Sequence, residues 1–349
     1  MKHLKFIIPG AVGGLLLAGY VGLSLYSSSQ AEKQIEDWLY DNELDGMVQW
    51  QSVSASPFGA TVTLKGVSLV VEKAPLKGLE VNVEKLQIAD FANEADLKSL
   101  SLALQGVTFP TSDERPSAVT KLLFAELLAE SGRDQLEPLD LSIQARYDDE
   151  ASEASMGFSV RLPELFAAEG SAQVANVRNL DSLLEGATAQ AMSLAGMGSR
   201  DLLRLLGKQA GLLDERAEAE RRLRAIELGD SSFMLQDLGY FKRSNLLKQR
   251  YGYALDPAKG AADEQRQAAF ERDLRKQEKD CSEKLSRAMD DGEQACADVL
   301  ALLNGQSDGF RMISEPEERV RLGDLEVALQ KPERASRLVQ RLNQRVEAL

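Results

Sequence analysis

The sequence predicts an α+β protein: an N-terminal transmembrane helix, a curved antiparallel sheet with β-bulges, and a largely helical C-terminal half. Three observations predict it. Phe6 to Tyr26 carries no charged residue. Between residues 60 and 110 apolar residues alternate along the chain and slip phase at glycines. Beyond residue 180 the texture turns to Ala, Leu, Glu, Arg and Gln. The divisions expected are 1–30 for a cytoplasmic stub and anchor, 31–180 for a mainly β region, and 181–349 for a mainly helical region with closing strands.

At 1.5 Å per residue, Phe6 to Tyr26 spans roughly 30 Å, the thickness of a bilayer core. Leu15, Leu16 and Leu17 give it an apolar centre, and Tyr20 and Tyr26 lie in its second half. Lys2 and Lys5 precede it, so the positive-inside rule leaves the N-terminus in the cytoplasm and the bulk in the periplasm. The expectation is a single-pass bacterial inner-membrane protein held by a signal-anchor. The competing expectation is a signal peptide cleaved after Ala31, for which Ser29-Gln30-Ala31 offers small residues.

Ala31 to Asn42 reads as a short helix with Ile35, Trp38 and Leu39 on one side. Gly46 ends it, and the period changes to two. Val62 and Leu64 alternate, Gly66 intervenes, and Val67 and Leu69 resume one residue out of phase. Leu102 and Leu104 alternate, Gly106 intervenes, and Val107 and Phe109 resume in the same way. TLKGVSL (63–69) and ALQGVTF (103–109) are thus aligned copies, either a true repeat or two similar strands. A one-residue slip at glycine is the mark of a β-bulge, which keeps one face inward. Those eight apolar residues are the candidate sheet core, or the lining of a groove.

Leu139 to Tyr147 and Met156 to Leu162 read as a hairpin, and Ala172 to Val177 as a further strand. Thr120 to Ser131 reads as an amphipathic helix. In the second half, helices are expected over 201–213, 214–224, 239–251 and 263–304. Strands are expected at 226–238, 310–314 and 320–329, and a last helix from Pro332 uses Leu338, Val339, Leu342 and Val346. About eight strands, at ~4.8 Å each, make a sheet roughly 40 Å wide. Asp290-Asp291-Gly292 breaks the longest helix into a hairpin with Cys281 on one arm and Cys296 on the other. In an oxidising compartment they form a disulfide; the alternative is two buried free thiols.

Composition excludes most familiar chemistry. Forty-one Lys+Arg against 55 Asp+Glu give a net charge of -14, which repels nucleic acid. The one histidine, His3, rules out a Ser-His-Asp triad or a His-based metal site in the folded part. Two cysteines are too few for a four-ligand zinc site. There is no Walker loop, no Gly-x-Ser-x-Gly elbow and no calcium loop. Aromatics at 6% speak against a sugar cleft built on two acids. The chain reads as a non-enzyme with no cofactor, no metal and no catalytic residue.

The anchor, the short helix with Trp38, and the strands TLKGVSL and ALQGVTF together resemble the N-terminal part of the bacterial AsmA-like envelope proteins. The resemblance covers about residues 1–110. It implies an anchored protein with an elongated, curved sheet and an apolar groove. Its implied partners are the inner membrane and phospholipid, or another envelope protein, and its implied role is envelope maintenance or lipid transport. Asp237-Leu238-Gly239-Tyr240 suggests a related anchored family of unknown function, and the helical second half departs from the AsmA-like pattern. The alternative function is a structural or interaction protein of the envelope with no ligand.

Overall fold

A computed structural model describes residues 28–41, 46–56, 61–71, 79–93, 97–109, 127–177, 221–256, 258–286, 289, 291–325 and 332–349. The elements run α1 (Ser28–Asp41), β1 (Val48–Gln49), β2 (Ser52–Ala55), β3 (Thr61–Val71), β4 (Leu79–Asn93), β5 (Leu97–Thr108), β6 (Leu139–Asp148), β7 (Glu153–Leu162) and β8 (Phe166–Ala175). They continue with β9 (Glu227–Asp237), α2 (Tyr240–Tyr251), α3 (Ala262–Leu285), α4 (Gly292–Leu303), β10 (Gly309–Ser314), β11 (Val320–Arg321), α5 (Pro332–Arg341) and β12 (Gln344–Ala348).

The expected fold class needs correction. The described chain is mainly a 12-stranded antiparallel sheet in the order β1-β3-β4-β5-β6-β7-β8-β9-β10-β12, with β2 beside β3 and β11 beside β9. Four segments of the second half, β9 to β12, pair into this sheet, so strands rather than helices set the architecture of the described chain. The count of about eight strands, and the narrow sheet drawn from it, fall with it.

The membrane placement is corrected too. A span needs about 20 mostly apolar residues. Among the described residues no helix is long and apolar enough to cross a membrane. The longest of them, α3, has 24 residues but is studded with charge. A single-pass inner-membrane protein with a transmembrane signal-anchor is not supported. The segment that prompted it, with Phe6, Leu15, Leu16, Leu17, Tyr20 and Tyr26, lies outside the described residues, as do 201–213 and most of 214–224.

Two compact units divide the chain. The first comprises Met1–Leu123, Pro138–Met156 and Val174–Ile226, and the second Phe124–Glu137, Gly157–Gln173 and Glu227–Leu349. In the first unit, α1 buries Ile35 and Leu39, one turn apart, and packs against β2. Strands β3, β4 and β5 pair over long registers, so Val62, Ile88 and Leu102 form one row and Leu64, Leu86 and Leu104 the next. Val67, Val83 and Val107 form a third. Every residue of these three rows is buried.

In the second unit, β10 lies between β9 and β12. Phe233 and Leu235 share a face with Phe310 and Met312, and the Phe233 and Phe310 rings sit 6.2 Å apart. Helices α3 and α4 form a hairpin, and α4 packs against β10 and β12. Val320, Leu338 and Leu342 close a small core between β11 and α5. Two expectations fail here. The strand at 320–329 stops at Arg321 and a helical turn follows at 322–325. The last helix stops at Arg341, Asn343 adopts φ 45°, and 344–348 becomes a strand. Val346 lies opposite Met312 on β10. Backbone pairing and that contact outweigh the weak helical period.

Candidate functional site

The candidate groove residues do come together, on one face of β3 and β5. The face is closed: Val62 is 0% exposed, Leu102 1%, Leu64 and Leu104 3%, Val67 2% and Val107 5%. Leu69, opposite Val81, and Phe109, just past β5, are half-buried. These side chains supply cohesion rather than an open lining.

Polar residues lie along the line where the strands change phase. Gly66 and Gly106 both adopt left-handed φ, 58° and 64°. Such a residue reverses the pleat, so two successive rows turn away from the apolar face. Between β3 and β4 the register passes through this point unchanged, since both strands flip together. Between β5 and β6 it shifts, which is a true bulge. The seam runs from Gln51 through Gly66, Glu84 and Gly106 to Asp140. The Gln51 side chain fills the place where a Gly66 Cβ would stand. Glu84 does the same at Gly106, whose N–H donates to Asp140 Oδ1 at 3.0 Å. Glu84 and Asp140 are exposed. Sequence reasoning found the two glycines and missed Gln51, Glu84 and Asp140. No sequence signal marks them, because strand register alone brings them to the glycines.

In the second unit, the Asp237-Leu238-Gly239-Tyr240 segment is a joint. Asp237 Oδ1 accepts from the N–H of Gly239 at 3.0 Å and of Phe241 at 3.1 Å, capping the first turn of α2. Leu238 and Tyr240 both donate their N–H to the Leu165 carbonyl, in the β7–β8 turn. One turn along α2, Arg243 Nε donates to the Ser131 carbonyl at 3.0 Å, and Nη2 donates to the Glu164 carbonyl. Glu164 pairs with Arg133, and the Tyr240 hydroxyl donates to Glu130. Phe166 meets the Tyr240 ring edge-on at 6.3 Å. Ser131 is fully buried beneath them. The guanidinium is spent on two backbone carbonyls, so the joint holds segments together.

Cys281 and Cys296 are joined by a disulfide across the α3–α4 hairpin, with Cα atoms 5.9 Å apart. Nearby on α3, Asp273 Oδ2 accepts from the Tyr253 hydroxyl at 3.0 Å and lies 3.5 Å from Lys248 Nζ. Burial, then the hydrogen bond to Asp273 and its negative charge, pushes the Tyr253 phenol up to about 12.

Among the described residues no group of three or more His, Cys, Asp or Glu is placed to hold a metal ion. What these arrangements offer is an apolar interior, a polar exposed seam and a tightly bonded joint. No protein-family model matches the chain, and no curated protein matches it significantly.

Proposed function

We propose that this chain is a non-enzymatic structural or interaction protein that works without a lipid ligand, docking to another protein of the cell envelope. One observation carries the reading. The face that an acyl chain would occupy on β3–β5 is already closed, with Val62 and Leu102 at 0% and 1% exposure. Lipid would enter only by parting a packed interior, which costs cohesion at every displaced side chain. A net charge of -14 suits a partner with a basic surface. The Cys281–Cys296 bridge suits an oxidising compartment.

Native mass spectrometry of the full chain tests this, after incubation with vesicles of phosphatidylethanolamine and phosphatidylglycerol. The expected result is the bare polypeptide, two hydrogens lighter than its reduced form. A second arm uses Leu102→Cys, the sole free thiol once the native pair is bridged. Its alkylation should be slowed at least about a hundredfold relative to an unfolded control. A phospholipid adduct of one per chain, together with rapid alkylation at position 102, overturns the reading in favour of a lipid groove.

A further inference from the structure

Strand β12 ends the strand order, and β10 is its one strand partner among the described residues. A single bond sets the hydrogen-bonding phase of the pair. The Leu349 N–H donates to the Gly309 carbonyl at 3.0 Å. Antiparallel ladders alternate every residue, so Arg345 and Glu347 also aim their backbone groups at β10, opposite Ile313 and Arg311. The N–H and C=O groups of Gln344, Val346 and Ala348 therefore point away from the sheet. Glu347 and Ala348 are exposed and Val346 is half-buried. Such an edge is a template for one further strand.

Charge selects which strand fits. Arg345 and Glu347 lie on one face, where Arg345 Nε donates to Glu347 Oε1 at 3.2 Å and the guanidinium also donates to both oxygens of Glu315 at 2.7 and 3.3 Å, so a second copy would extend this charge cluster. Lay a second β12 antiparallel, with Val346 opposite Val346. The outward groups of 344, 346 and 348 then bond in register, and Arg345 falls opposite Glu347 twice by symmetry. Centring on Gln344 instead sets Arg345 against Asn343 and loses both ion pairs. We infer that β12 is an isologous docking edge for a second copy of this chain. The strip is five residues long, well short of the ~1,000 Å² of a permanent interface, so the dimer is reversible and concentration-dependent. This edge and the β3–β5 face belong to different units, and the inference stands whether or not the reading without lipid holds.

Sedimentation of the full chain across roughly a hundredfold range of concentration tests it. The wild type should pass reversibly from monomer to dimer. Arg345→Glu sets acid against acid at both crossings, and Glu347→Arg sets base against base; each variant alone should remain monomeric. Mixed in equal amounts, the two should form a heterodimer, because the acidic edge of one complements the basic edge of the other. Val346→Pro removes an N–H that faces outward, leaves the β10 ladder intact, and should also abolish the dimer. Unchanged circular dichroism verifies folding of each variant. The inference is overturned by a wild type that stays monomeric throughout. It is equally overturned by variants that associate as the wild type does, or by a mixture that stays monomeric.

Discussion

Substituting alanine at three glycines separates backbone strain from steric conflict at the sheet's seam. All three adopt left-handed φ: Gly46 at 79°, Gly66 at 58° and Gly106 at 64°. A non-glycine residue there costs about 1–2 kcal/mol. Alanine also narrows the unfolded ensemble, which returns about 0.4–1 kcal/mol. A Cβ at Gly46 meets nothing within 4 Å, so Gly46→Ala measures strain alone, about 1 kcal/mol net. At Gly66 the obstacle is the far end of the Gln51 side chain, which rotates away, so Gly66→Ala should cost nearly the same. At Gly106 a Cβ would lie 2.8 Å from Glu84 Cβ and 2.9 Å from its Oε2. The Cβ of Glu84 is fixed to β4 and yields only if the strand moves, which adds about 1–3 kcal/mol. Gly106→Ala should therefore cost about 2–4 kcal/mol in urea unfolding, with an unchanged denaturant slope. In a Glu84→Gly background the cost should drop to that of Gly46→Ala, a coupling of about 1–3 kcal/mol. Equal losses at all three glycines, or no coupling between Gly106 and Glu84, would refute the seam as the source of the constraint.

Three further outcomes are expected. Replacing both Cys281 and Cys296 by serine, or reducing the bridge, should lower stability by about 3 kcal/mol, and identical melting of oxidised and reduced protein would contradict this. Tyr253, with its phenol raised from 10.0 to about 12, favours the protonated form in the folded state, so its contribution is intact below pH 10 and lost as pH rises towards 12. Solvent screening limits that contribution to about 1 kcal/mol or less; tyrosinate absorbance should show one late-titrating tyrosine in the native protein, absent in Tyr253→Phe and shifted down in Asp273→Asn. Arg243→Met should cost about 2–4 kcal/mol by leaving the Ser131 and Glu164 carbonyls unpaired, and Arg243→Lys should not rescue it, because an ammonium lacks the guanidinium fork. Hydrogen exchange over 127–133 should quicken in both; unchanged protection there would show that the joint does not depend on this residue.

Much of the local structure was legible. Alternation at Val62, Leu64, Leu102 and Leu104, and the slips at Gly66 and Gly106, marked the strands and the inward face, because side-chain direction depends only on a residue's own backbone. The α3–α4 hairpin and its cysteines followed from helical spacing. The joint at Asp237 to Tyr240 was noticed as a motif, but its partners Arg243, Ser131 and Glu164 were not, since hydrogen bonds to backbone carbonyls leave no trace in residue type. Gln344 to Ala348 was misread as helix because β10, thirty or more positions earlier for every pair, provides the contacts that make it a strand.

By itself, then, the sequence determined which residues share a face, where strands bend, and which catalytic chemistries lack their residues. These are local or compositional properties. Only the tertiary structure decided that the apolar face of β3–β5 is closed, that Gly66, Glu84 and Gly106 fall on one line, and that the last segment, Gln344–Ala348, is a strand of the sheet. Those depend on register and on what packs against what. Pairing energy is set between segments distant in the chain, and a short apolar run is compatible with helix or strand until a partner is present.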